Sequence, residues 1–485
     1  MLRGWIIICA AILALLPGVD LFSEEPSPGK GKEESIFELE VGVLGTYPAV
    51  QGSEAEFSKY RDLKDRTPGV FGNVYLRCID PKRGTFLRLD ITDPGYDTQS
   101  YRIDGGKWGS YRYSLFYDEI PRNITYNAVT PYAGAGSDQL GYDGVPGTDP
   151  TAWNSFDYYT KRKRYGGKVR FQPVKPFYFE VTGSEERKSG TRPSGAEGAI
   201  GFGNVIELPA PVDFTTDHIT MEAGYARQPY FLSLRYLFSR FVNSNGTLSF
   251  RNPFVPVQPN TDALNLSPDN TFHQAGFTGT VKLPFRSKFS ANLAYGAARS
   301  EADLLSNIWD GGTLTPLQLS SNRFHGDVRT QNYNFALAAN PVTFLSGKLY
   351  YRYYDRDNRS DIITTVENGV TTSNANRLYG YNKQTYGADL DIRVLRDLRF
   401  IAGYKHVDLN RSRDDIPRTR DDIYSAEARW SPLPEATFKI AYEKLIRAGH
   451  HQVTDVTAAP AEIWVRTFDA ASKDTDTFKA SATLS

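Results

Sequence analysis

Residues 229–242, PYFLSLRYLFSRFV, place Tyr230, Leu232, Leu234, Tyr236 and Phe238 at alternate positions, with Ser233, Arg235 and Ser239 between them. Side chains alternate across a strand, so this text makes a ribbon with one oily and one wet side. The same pattern recurs along the whole chain. Residues 385–394 (TYGADLDIRV) set Tyr386, Ala388, Leu390, Ile392 and Val394 against Asp389, Asp391 and Arg393. Residues 288–296 (KFSANLAYG), 436–443 (ATFKIAYE) and 177–183 (FYFEVTG) repeat it, the first two with Phe and Tyr bracketing the apolar side. About 18 such segments, roughly 8 to 15 residues each, match tilted membrane strands.

The connections alternate in length. Short turns, several containing Pro, fall at 173–176, 227–229, 283–286, 394–397 and 431–435. Long polar stretches fall at 119–156, 189–215, 243–270, 301–321, 358–376 and 449–470. Short connections at one end and long ones at the other are the layout of an outer-membrane barrel, periplasmic turns against extracellular loops. Both sheet termini then lie on the short-turn side. A soluble sandwich would also alternate. It would not need aromatic brackets on its oily faces or both-sign charges on the others, as lipid contact and a wet lumen do. The sequence therefore predicts an all-β, transmembrane antiparallel up-and-down β-barrel, with the apolar side of Leu232 and Leu234 in lipid and Arg235 in the lumen.

The first residues, MLRGWIIICAAILALLPGVDLFSEEPSP, carry one Arg and then a short apolar run, the form of a secretory signal. The expected organisation is a signal peptide over 1–23, a short polar segment over 24–35 and a barrel over 36–485, the signal being cleaved on export. Cys9 is lost with the signal, which leaves Cys78 alone. One cysteine makes neither an internal disulfide nor a CxxCH haem attachment. No later apolar run is long enough for a transmembrane helix. With 56 basic and 56 acidic residues the net charge is zero, which offers no electrostatic case for nucleic acid.

Catalytic and metal motifs are not evident. The six His are scattered, the adjacent pair His450–His451 lying in a loop, and none has a metal-ligand spacing. DRDNRSD (355–361) has the acidic rhythm of a calcium loop, but Arg359 stands where an oxygen ligand is needed and Ser360 where the turn glycine belongs. No GxSxG elbow occurs. The expectation is a protein without catalysis and without a metal or cofactor of its own. Lumen-facing Arg235, Lys348, Arg352, Asp389, Asp391, Arg393 and Lys439 are the candidates for touching whatever occupies the barrel.

An ordered series of segments resembles the MtrB/PioB family. WGSYRYSLFYDEIPRNITYNAVTPYAGAGSDQL (108–140) resembles that family's early hairpin, and FSKYRDLKDRTPGVFGNVYL (57–76) the segment before it. ELPAPVDFTTDHITMEAGYARQPYFLSLRYLFSRF (207–241), LSPDNTFHQAGFTGTVKLPFRSKFSANLAY (266–295) and LYYRYYDRDNRSD (349–361) resemble later ones. The resemblance implies an outer-membrane barrel that sheathes a periplasm-facing multihaem c-type cytochrome and often meets an extracellular one. Electrons then cross the membrane along haems held by the partner, with lipid as the barrel's other contact. The family pattern includes, in some members, a CxxC-like pair that is absent here. Its members continue with further hairpins beyond the point where this text stops, TFKASATLS (477–485), so the resemblance implies a C-terminally truncated or reduced member. Eighteen strands alone would enclose a lumen of roughly 16 to 20 Å, close to general porin width. A diffusion porin or solute channel with a mixed-charge lumen is the alternative function.

Overall fold

The computed structural model describes residues 35–64, 69–142, 149–197, 205–253, 261–305, 307–310, 313–316, 318–367, 370–412, 416–450 and 471–484. The expected signal peptide, Cys9 and most of the polar segment before residue 36 lie outside them, as does His451.

One 18-stranded antiparallel sheet carries the fold. Its first strands are β1 (Ile36–Thr46), β2 (Gly69–Asp80), β3 (Thr85–Thr92), β4 (Ser100–Lys107), β5 (Tyr111–Thr130) and β6 (Asn154–Phe171). Then come β7 (Phe177–Glu197), β8 (Val205–Arg227), β9 (Tyr230–Asn243), β10 (Asn270–Leu283), β11 (Ser287–Asp303) and β12 (Arg323–Val342). The last are β13 (Leu345–Asn358), β14 (Tyr381–Arg393), β15 (Leu398–Arg411), β16 (Arg418–Leu433), β17 (Ala436–His450) and β18 (Lys473–Leu484). Each pairs with its neighbours in sequence, so the path is a simple meander. Strands β1 and β18 stand at the two edges. Turns such as 228–229, 343–344 and 434–435 gather at one end, and connections such as 131–153, 244–269 and 359–380 at the other. Ile36 and Leu484 both lie at the short-turn end, since Ile36 pairs with Ile79 and Leu484 with Ala436. Short turns are periplasmic and long loops extracellular.

Directly paired residues share a face, so the register turns single-strand alternation into continuous rows. One row runs Ile392–Phe400–Ala428–Ile440–Ala480 from β14 to β18. Ile440 is 66% exposed and Leu234 63% exposed on this face, an arrangement stable only against lipid. Trp430 against Phe438 (5.6 Å between ring centroids) edges the band at the turn end. Tyr404 against Tyr424 (5.2 Å) and Tyr442 against Phe478 (4.8 Å) edge it at the loop end. Along β17 four residues separate these edges and along β16 six, which at a tilt of about 40° spans roughly 10 to 15 Å, within the apolar band of outer-membrane barrels. Beyond the tyrosines the same face becomes charged. His406 Nδ1 lies 2.7 Å from Asp422, Lys444 Nζ 2.9 Å from Asp474, and Arg418 is paired with Asp408.

These extensions correct two expectations. Strands expected to span 8 to 15 residues reach 21 in β7 and 23 in β8. Much of 119–156 and 189–215, expected as loop, is strand, and β7 and β8 stay paired out to Glu197 opposite Val205. Above the bilayer the outer face no longer meets lipid. The backbone ladder continues there while the apolar alternation that marks it in the sequence ends.

Gly166 of β6 marks a close strand approach. A Cβ there would sit 2.3 Å from the Gly183 carbonyl oxygen and 2.8 Å from Ser184 Cα on β7. Because both obstacles are backbone, Gly166→Ala must part the two strands, and a loss of about 1–3 kcal/mol is expected. The temperature at which the folded band disappears in heat-modifiability gels is expected to fall. An unchanged temperature would mean that β6 and β7 are further apart.

Candidate functional site: the lumen wall and its loop cap

The face opposite the lipid band is built from charges and flat-lying aromatics. Arg235 on β9 lies directly opposite Glu222 on β8, and Glu222 opposite Glu180 on β7. Glu180 takes ion pairs from Lys168 (2.6 Å) and Arg170 (3.6 Å). Tyr178 is only 2% exposed on this same face. Its hydroxyl donates to Glu222 at 2.6 Å, and the Arg170 guanidinium sits 4.0 Å from its ring centroid. A Cβ on Gly224 would meet the Tyr178 ring at 2.3 Å, so the ring lies flat across that glycine. Arg170, Tyr178, Glu180, Glu222 and Gly224 were not singled out from the sequence. The available signal was Tyr178 at the same parity as Glu180, in a strand whose aromatics otherwise face lipid.

A second group repeats the design. Lys348 is opposite Asp389, and Tyr350 lies against Gly387, where a Cβ would be 2.5 Å from its hydroxyl. The Lys348 ammonium and Arg352 guanidinium flank the Tyr350 ring at 5.3 and 5.4 Å. Nearer the short turns, Asp391 is 3.8 Å from Arg399, and Glu427 holds both Arg429 and Lys439 at 2.9 Å. The register puts Arg235, Lys348, Arg352, Asp389, Asp391, Arg393 and Lys439 on the face opposite the lipid band. Lys348, Arg352 and Asp389 form one neighbourhood, and Asp391, Arg393 and Lys439 a second one joined through Arg399 and Arg429. Arg235 stands apart in the Tyr178 group.

At the loop end the inner face is capped. Ile206, Leu208 and Ala210 of β8 share the parity of Glu222, with no register break between them. They bury against Tyr132 and Leu140 of segment 131–142 and against Leu248 and Phe250 of a short strand, Thr247–Arg251. Leu208 is 0% and Phe250 1% exposed. Gly136 N donates to the Pro209 carbonyl (3.0 Å), Ser249 N to that of Asp138 (2.8 Å) and Tyr132 Oη to that of Arg251 (2.8 Å). Burial pushes the phenols of Tyr132 and Tyr142 up. Segment 131–142, within the long polar stretch 119–156, packs on the inner side of the β7–β8 extension.

Among the described residues no group of three or more His, Cys, Asp or Glu is placed to hold a metal. In 355–361, Asp357 pairs with Arg359 (2.5 Å) and Asp361 with His325 (2.8 Å), and His325 holds the Asp361 carboxyl below its ordinary range. No described helix is long and apolar enough to cross a membrane.

Comparison with known proteins follows the same line. Outer membrane protein MtrB of Shewanella baltica (strain OS185) is 24% identical over 478 residues, covering 92% of this chain. The chain spans 66% of that relative's length, just under two thirds. Among solved structures, the ferric yersiniabactin uptake receptor FyuA from Yersinia pestis is 10% identical. That match has a TM-score of 0.39 and covers 76% of this chain and 60% of the receptor. The closed form of the ferric-catecholate import receptor Fiu from K12 E. coli is 9% identical, with a TM-score of 0.42, over 87% and 66% respectively. The family described as "Putative outer membrane beta-barrel porin, MtrB/PioB" matches residues 50–485. An 18-stranded meander with an oily outer face, a charged inner face and this match over most of its length is a porin-like outer-membrane protein, and the chain belongs to the MtrB/PioB family.

Proposed function

We propose that the chain is a sheath that holds a multihaem c-type cytochrome in its lumen and so supports electron transfer across the outer membrane. The observation that carries this reading is the inner wall. Its charges are arranged around fixed aromatic platforms at Tyr178 and Tyr350, and below the cap every described sheet strand belongs to the wall itself. A surface so ordered is suited to a macromolecular occupant. The barrel supplies insulation and position, and the haems belong to the partner. Arg235, Lys348, Arg352, Asp389, Asp391, Arg393 and Lys439 are the proposed contacts. Export by a cleaved signal over 1–23 belongs to the same proposal, and N-terminal sequencing of the mature protein tests it.

The loop cap favours a second reading, a diffusion porin whose mouth is narrowed by 131–142 and 247–251. Affinity purification in mild detergent separates the two. Stoichiometric Soret absorbance from a co-purifying c-type cytochrome is expected for the sheath. A haem-free barrel that conducts ions in planar bilayers would replace it with the porin.

A further inference from the structure

The inner wall near the short turns carries a row that a folded sheet would ordinarily avoid. Arg393 pairs directly with Arg399, Arg399 with Arg429, and Arg429 with Lys439, on the successive strands β14 to β17. Like charges at directly opposite positions repel across strands. Arg396, in turn 394–397, adds a fifth cation beside them. Arg396, Arg399, Arg429 and Lys439 line a concavity of about 520 Å³ with the hydroxyls of Ser431 and Thr437.

The local carboxylates do not balance the row. Asp391 reaches Arg399 at 3.8 Å, and Glu427 is shared between Arg429 and Lys439. Asp397 accepts from Trp430 Nε1 at 3.0 Å. Five cations therefore face three carboxylates, and among the described residues no ion pair engages Arg393 or Arg396. The excess is exposed to the lumen at the mouth that opens toward the periplasm.

We propose that this row is a docking cradle for clustered carboxylates on the acidic surface of the protein held in the barrel. The proposal rests on the sheath reading and names where that partner is gripped. Three strand spacings separate Arg393 from Lys439, roughly 14 Å. A compact phosphate would engage only part of such an array, whereas a surface bearing several spaced carboxylates engages all of it. Guanidinium forks suit carboxylates in paired geometry, and binding them relieves the cross-strand repulsion.

The test uses the full-length protein in detergent with fluorescein-labelled hexaglutamate as the probe, read by anisotropy at increasing salt. Wild type is expected to bind with an affinity that falls steeply with salt. R399Q/R429Q is expected to weaken binding at least tenfold, R396Q to weaken it severalfold without touching a strand, and R399K/R429K to retain most of it. Excess inorganic pyrophosphate is expected to compete poorly. Hexaglutamate binding that none of the neutralising variants alters overturns the cradle. Full displacement by equimolar pyrophosphate overturns the carboxylate assignment in favour of a phosphate site. The same variants scored for co-purifying haem distinguish the two levels of the proposal. Peptide binding without haem in wild type leaves the cradle and removes the sheath, and haem retained by R399Q/R429Q at high salt leaves the sheath and removes the cradle.

Discussion

Leu234→Arg is expected to strip folded protein from the outer membrane, while Arg235→Leu, one residue away, leaves insertion intact. Leu234 stands in the middle of the lipid band, opposite Ala223 and Phe277, with no protein group to cover it. An Arg near the bilayer midplane of a barrel costs about 2–4 kcal/mol and finds no partner there. Arg235 projects to the other side, opposite Glu222, where water and a carboxylate already solvate it. Its removal alters the wall's charge and leaves the lipid seam untouched. Heat-modifiable mobility in purified outer-membrane fractions reads both variants. Should Arg235→Leu be the damaging change and Leu234→Arg the silent one, the faces are inverted and the membrane assignment falls.

Phe250→Ala is expected to loosen the loop cap while the barrel stays folded. Phe250 is buried in the small cluster formed by Tyr132, Leu140, Ile206, Leu208, Ala210 and Leu248. Truncating a fully buried Phe removes about 3–5 kcal/mol. So small a cluster has little else to hold it, whereas the strand ladders below are independent of it. Leu208→Asp has the same expected result by a different route, since it buries a carboxylate among apolar neighbours. Two measurements read the outcome in either variant: faster protease cleavage within 131–142 and raised single-channel conductance. Unchanged cleavage and conductance in both would mean that the segment does not pack across the inner face.

Both predictions rest on different kinds of information, and so did the fold. Leu232, Leu234 and Arg235 declare their faces in the local text, because side-chain direction in a strand depends only on parity. The Gly and Pro turns and the long polar stretches likewise place the two ends of the meander without any tertiary contact. The Tyr178 platform was harder to see. A tyrosine on the wet face looks like any other polar position until Gly224, 46 residues later, is set beneath it by the β7–β8 register.

What the sequence by itself determined was the alternating strands, their lipid and lumen faces, and the up-and-down order. Each follows from period two and from connection length, which are local properties. Only the tertiary structure decided that Arg393, Arg399, Arg429 and Lys439 stand in one row, that Tyr178 covers Gly224, and that 131–142 meets 206–210 and 248–250 in a cap. Those facts depend on how far each strand slides against the next and on which side a loop returns. Such registers are set by pairing and packing summed over the whole sheet, and no single segment encodes them.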